Sequence, residues 1–237
     1  MLSYTSVILV GYFIKTSCIR AEFHVPLAAW RSVTSSTTAF AHECFIDELA
    51  HKAKQDPLDF RLSLLSKPSD VKKVLLKLRE CSNWDQPLPK GRGRGVAQWE
   101  FFAGLCAQVV EVTYHPDGSI KVDKVFAVID LGEVVNPDNV KNQIEGAIVI
   151  ALGAATKPCI TLENGKVMQH NFYDSPVPRI NEVPPVEVLI LADGGRVKGV
   201  GEPGVPPFAP ALANEIFAAT GKRIRRMPFD INNIGSI

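Results

Sequence analysis

The sequence predicts an α+β fold of mixed sheets with packed helices, and three observations carry that prediction. Apolar residues recur at three- and four-residue spacing in several stretches, as the buried stripe of an amphipathic helix requires. Between residues 108 and 130 the pattern changes to strand-like alternation. Helical and strand-like stretches follow one another without a regular βαβ period, and no repeat of solenoid length is present.

The elements follow in chain order. Ser6 to Ile14 is apolar and reads as a buried strand; the alternative, a signal peptide, lacks a preceding basic residue and a clear cleavage site, and the run is too short to span a bilayer. A loop through Trp30 and Arg31 ends in Ser and Thr at 32 to 38, a natural helix start. The helix that follows, Ala39 to Lys54, has Phe40, Ile46, Leu49, Ala50 and Ala53 as its inner stripe. Asp56-Pro57 supplies an N-cap with proline at the first helical position and opens a second helix through Leu65. A basic amphipathic stretch from Val71 to Arg79 predicts a third helix.

An exposed connection through Pro87, Pro89 and the Gly-Arg repeat at 91 to 95 comes next. That repeat reads either as a phosphate cradle or as a flexible linker entering a strand. Val110, Val112 and Tyr114, the turn His115-Pro116-Asp117-Gly118, then Ile120 and Val122 predict a β-hairpin continued by the apolar run Val125 to Ile129. Asn136-Pro137 caps a long helix with inner stripe Val140, Ile144, Ala147, Ile148, Ala151 and Ala155, which Pro158 should end. A turn at Glu163-Asn164-Gly165, a polar loop from His170 to Pro185 and a strand from Val186 to Leu191 lead to a glycine-rich segment. The last helix, about Ala209 to Thr220, should stop at Gly221.

Bulk composition excludes several function classes. The chain has 237 residues, with 26 Lys and Arg against 25 Asp and Glu, so its net charge of +1 creates no strong field toward nucleic acid or anionic lipid. The cysteines at 18, 44, 81, 106 and 159 are widely spaced without a CxxC pair, which argues against structural zinc or an iron-sulfur cluster within the chain and fits buried thiols in a reducing compartment. The histidines form neither HExxH nor a close cluster.

Three segments combine glycine, a polar or charged residue and a helix start. In the first, Arg31 can grip an anionic group with a forked pair of hydrogen bonds, or form a surface salt bridge. In the second, Asn142 to Gly146, Gln143 sits beside the buried stripe with an amide free to donate and accept, while Glu145 lies outside it. The third is Gly199-Val200-Gly201-Glu202-Pro203-Gly204, where glycines permit close approach of a ligand and prolines stiffen the turn around one carboxylate. Glu202 reads as a general base or as a cap of the following helix.

Taken in order, AWRSV at 29 to 33, FIDELAH at 45 to 51, DP at 56 to 57, GRGRGVA at 91 to 97 and VIDLGEVVNPDNVKNQIEGAIV at 128 to 149 form a recognisable series. NFYDSPVPRINEVPPVEV at 171 to 188 and the block from Gly199 to Pro228 complete it. The sequence resembles the molybdopterin-binding large subunit of the xanthine dehydrogenase and aldehyde oxidase superfamily, of the isoquinoline 1-oxidoreductase beta-subunit type. The resemblance makes residues 12 to 237 the C-terminal part of that subunit's molybdenum-cofactor domain and leaves residues 1 to 11 as an atypical start.

It implies Glu202 as the base of a hydroxylation that inserts water-derived oxygen into an N-heterocycle or aldehyde carbon. It implies cofactor contacts at Gln143, Arg31, Gly201, Gly199 and Gly146, and a molybdenum-pterin cofactor in the cytosine dinucleotide form. The implied partners are the upstream part of the large subunit and a small subunit with two 2Fe–2S clusters. No membrane span is expected, and the chain is placed in the cytoplasm although full-length relatives are exported in some cases. The family's cysteine after the strand aspartate is Leu131 here, and its usual tyrosine-glycine-glutamate is replaced within Ala155 to Cys159. Both departures bear on the substrate pocket. Two other readings remain open: a truncated subunit that is only a structural or interaction domain, and a plain nucleotide-binding module.

Overall fold

A computed structural model describes residues 28–65 and 67–234. The strand expected at Ser6 to Ile14, the atypical start and Cys18 lie outside the described residues.

Helix α1 spans Ser35–Lys52, and α2, Pro57–Ser63, begins where Asp56 accepts the amide protons of Leu58 and Asp59. Helix α3 is Asp70–Cys81, capped by Ser69. Strand β1 (Arg92–Phe101) turns through Phe102 and Ala103, both left-handed at φ 49° and 61°, into β2 (Gly104–Tyr114), which leads to β3 (Ile120–Asp130). Helix α4 (Pro137–Thr156) starts at the Asn136 cap and ends two residues before Pro158, because the ring excludes helical geometry just ahead of it. The short strands β4 (Leu162–Glu163) and β5 (Lys166–Val167) flank the expected Asn164-Gly165 turn. Strand β6 is Val186–Leu191, and α5, Phe208–Thr220, stops at Gly221 with φ 73°.

The main sheet has the order β1-β2-β3-β6, antiparallel except for the parallel pair β3 and β6. Mixed strand directions with helices on both faces bear out the α+β prediction. On one face Ala97, Cys106, Val110, Val112, Val125, Ala127 and Ile129 pack against α4 and α5. All six residues of the expected α4 stripe are buried there. On the other face Val96, Ala107, Val109 and Val128 meet Leu58 of α2 and Val74, Leu75 and Leu78 of α3. Among the described residues no helix is long and apolar enough to cross a membrane.

The Gly-Arg repeat departs from expectation. It is neither a linker nor a phosphate cradle but the first half of β1, fully paired with β2. Gly93 and Gly95 face α5, which approaches so closely that a Cβ at Gly95 would lie 2.2 Å from the Ala211 carbonyl oxygen and 2.5 Å from the Glu215 nitrogen. Its arginines are engaged by the protein: Arg92 pairs with Glu111 and Asp123, and Arg94 donates to the carbonyls of Asn83 and Gln86. Gly95→Ala should therefore push α5 off the sheet and cost about 3 kcal/mol, the upper end for overpacking, read as a lowered urea midpoint.

A buried ion pair and a lone buried carboxyl accompany this packing. Glu43 and Arg61 pair at 3.1 Å with both side chains almost wholly excluded from solvent. Burial alone would raise the Glu43 carboxyl; Arg61, His42 and the Gln98 amide reverse this and hold it below its ordinary value. Glu215 is the opposite case. It is fully buried on α5 against Gly93, and neither carboxyl oxygen has a partner among the described residues. Burial, aided by the Asp123 carboxylate, pushes its pKa up to about 8.

Candidate functional site

The segment from Gly199 to Pro207 crosses one end of the sheet and delivers the chain into α5. At its start, the Gly199 carbonyl lies 2.7 Å from where a Cβ of Gly104 would stand, so the β1–β2 turn needs glycine at 104 to admit it. At its far end, Gly204 lies against Ile144 and Ala147 of α4, where a Cβ would meet the Ala147 Cβ at 2.9 Å. From β2, the buried Gln108 reaches up and donates to the Gly204 carbonyl at 2.7 Å.

Arg31 joins three separate parts of the chain. Its Nε donates to the Gly201 carbonyl at 2.6 Å, and its Nη2 donates to both the backbone and the side-chain oxygen of Gln143 at 3.1 Å. Its acceptors are neutral carbonyl oxygens, so the surface salt bridge is not how the residue is used. Partial burial lowers the guanidinium pKa and the Glu202 carboxylate opposes this, which leaves a cation at neutral pH. Gly146 flanks the same guanidinium, with Nη1 3.8 Å from the position its Cβ would take.

Glu202 is half-buried beside this group. Its Oε1 accepts the Ser32 amide proton at 3.1 Å, and its backbone carbonyl accepts the Ser32 hydroxyl at 2.7 Å and the Val205 amide at 3.0 Å. It does not cap the last helix: the N-cap of α5 is Pro207, with no side-chain cap. Oε2 has no partner among the described residues.

The structure thus gathers Arg31, Gln143, Gly146, Gly201 and Glu202 at one exposed edge. Gly199 stands apart, against Phe102 of the β1–β2 turn, and Glu145 is solvent-exposed on α4. Reading the sequence missed Ser32 and Gln108. Gln108 carried a usable signal, an amide within an apolar strand, whereas Ser32 merged with the Ser and Thr run that starts α1.

The edge offers hydrogen-bond donors and a cation to a polar group with anionic character. Among the described residues the Gln143 amide nitrogen, Arg31 Nη1 and the amides of Gly201 and Glu202 have no acceptor, and nothing lies within 4 Å of where a Gly201 Cβ would be. Donors converge beside open space and a single carboxylate. Among the described residues no group of three His, Cys, Asp or Glu could ligate a metal directly.

Helices packed over a mixed sheet carry this donor-lined edge beside the Glu202 carboxylate. The chain belongs to the molybdopterin cofactor-binding domain family, whose model matches residues 30–184. It is 33% identical over 223 residues to the membrane-bound aldehyde dehydrogenase [pyrroloquinoline-quinone] of Gluconacetobacter polyoxogenes, covering 84% of this chain and 28% of that protein. It is 29% identical over 208 residues to the isoquinoline 1-oxidoreductase subunit beta of Brevundimonas diminuta, covering 86% of this chain and 27% of that one. The aldehyde oxidoreductase of Desulfovibrio desulfuricans has the same fold, with a TM-score of 0.73 at 14% identity, covering 87% of this chain and 41% of that structure. The chain therefore spans little more than a quarter of the length of these curated relatives.

Proposed function

We propose that the chain supplies the Glu202-bearing part of a molybdenum hydroxylase large subunit, acting on an aldehyde or an N-heterocycle. One observation carries the reading: Arg31, Gln143 and the 201–202 segment, separated by up to 170 residues, are tied together around a free set of donors and one carboxylate. The family match supports the same cofactor class.

When bound, a molybdenum-pterin group would supply the redox chemistry and the water-derived oxygen. The Gln143 amide, Arg31 Nη1 and the Gly201 amide would hold it, with Gly146 and Gly201 leaving room for its approach. Gly199 shapes the turn in front of it. Glu202 would take a proton at Oε2, the oxygen that Ser32 leaves open, while Oε1 stays fixed. We propose the cytosine dinucleotide form of the cofactor.

The proposed partners are the remainder of the large subunit and a small subunit with two 2Fe–2S clusters. Phe172, Tyr173 and Ile180 are 66%, 80% and 95% exposed, large apolar side chains of the kind that a neighbouring chain covers. The buried thiols Cys44 and Cys106, each pushed up to about 12 by burial, suit the reducing cytoplasm, the proposed compartment.

The test is complementation. Co-expressed with the upstream portion of an isoquinoline-type large subunit and its iron-sulfur subunit, the chain should yield a complex with about one molybdenum and one pterin per copy, measured by elemental analysis and by fluorescence of the oxidised pterin. Arg31→Ala should lower both contents about tenfold, since a charge-assisted hydrogen bond contributes about 1.5–3 kcal/mol. A well-assembled complex without molybdenum would overturn the proposal.

A further inference from the structure

We propose that Ser32 is a positioning residue that sets the orientation of Glu202; this rests on the reading of Glu202 as the reacting carboxylate. Ser32 is wholly buried and has a left-handed backbone, φ 69°, followed by Val33 at φ 45°. Consecutive left-handed residues without glycine are strained, the more so at a β-branched valine, and persist only where surrounding bonds impose them. Here the turn is closed by Val33 N–H to the Trp30 carbonyl at 2.8 Å and by Ser35 N–H to the Ser32 carbonyl at 2.9 Å.

The result of this geometry is specific. It points the amide and the hydroxyl of one residue at the same distant residue, the amide at Oε1 and the hydroxyl at the backbone carbonyl of Glu202. A carboxylate held at one oxygen alone can swing about its side-chain torsions. Held also through its own backbone, it presents Oε2 in one direction. The Glu202 carbonyl accepts a second bond from Val205, so the Ser32 hydroxyl also tightens the turn that leads into α5. Gln108 restrains the same turn from beneath through Gly204. Arg31 and Ser32 therefore divide the work: Arg31 ties the loop to α4 through Gly201, and Ser32 fixes the carboxylate.

Two variants separate hydroxyl from strain. Ser32→Ala removes the hydroxyl and keeps the strained backbone; Ser32→Gly removes the hydroxyl and relieves it. The first readout is amide hydrogen exchange in the full chain, which needs no cofactor. In both variants the Val205 amide should exchange about tenfold faster, because the Glu202 carbonyl it donates to loses the Ser32 hydroxyl that holds the turn in place, while the amides in the middle of α5 and the global unfolding midpoint move much less. The second readout is turnover of the complemented enzyme. There kcat should fall on the order of 10- to 100-fold, the scale of a misplaced reacting group, with KM and molybdenum content unchanged.

Exchange at Val205 that stays at the wild-type rate in both variants, or that rises only in step with the middle of α5, would overturn the positioning role. So would full kcat in a molybdenum-loaded Ser32→Ala enzyme. Faster Val205 exchange in a complex that holds no molybdenum would instead sustain the positioning of Glu202 and remove the hydroxylase reading.

Discussion

Replacing Glu202 with glutamine should lower kcat of the complemented enzyme on the order of 10²- to 10⁴-fold, with molybdenum and pterin contents unchanged. That range is what a positioned general base contributes and corresponds to about 3–5 kcal/mol of barrier. Glutamine is the informative substitution because it keeps an oxygen that can accept the Ser32 amide proton, and it leaves the backbone carbonyl bonded to the Ser32 hydroxyl and Val205. The loop should therefore hold its shape and the donors around Arg31 should stay in place. What glutamine lacks is an oxygen able to take a proton. Steady-state turnover with an aldehyde or N-heterocycle, normalised to molybdenum, makes the measurement. Wild-type turnover in this variant would remove Glu202 from the chemistry.

The second large effect is on stability. The Glu215 carboxyl titrates at about 8 in the folded chain against an ordinary value of 4.5. Below pH 4.5 it is protonated whether the chain is folded or not, and the site imposes no penalty. As pH rises from 4.5 toward 8 the unfolded chain releases the proton and the folded chain retains it, so stability falls; above about 8 both states are ionised and the loss is complete. At about 1.4 kcal/mol for each tenfold in proton affinity, the total is about 5 kcal/mol.

Glu215→Gln keeps the shape and removes the charge. Its urea midpoint should match wild type near pH 4 and exceed it progressively toward pH 8, where the difference approaches the full value. The groups to watch alongside it are Asp123, Glu111 and Arg92, which ion-pair beside the same end of β1. Equal pH slopes in the two proteins would show that Glu215 is paired or hydrated.

Local signals in the sequence were reliable where the physics is local. Asp56-Pro57 and Asn136-Pro137 marked two helix starts because capping involves residues within one turn. The α4 stripe and the Gly221 stop were legible for the same reason. Strand β1 was not. Its glycine and arginine repeat lacks the apolar alternation of a strand, because α5 lies so close that side chains are excluded, and that cause is more than a hundred residues away. The candidate site divides along the same line. Residue chemistry alone left Arg31 between an anion grip and a salt bridge, and Glu202 between a base and a cap; the ordered motifs named both. Ser32 and Gln108 stayed hidden because their partners, Glu202 and Gly204, are brought to them only by the completed fold.

The span from Arg31 to Gly201 also has a meaning in time. A ribosome adds about 5–20 residues per second, so once Arg31 has been made, roughly 10–30 s pass before its carbonyl acceptor exists. Throughout that interval the first helices can form and cap themselves, yet the donor-lined edge lacks the wall that Gly201 and Glu202 supply. Any group that binds there must therefore arrive after synthesis of this stretch is finished.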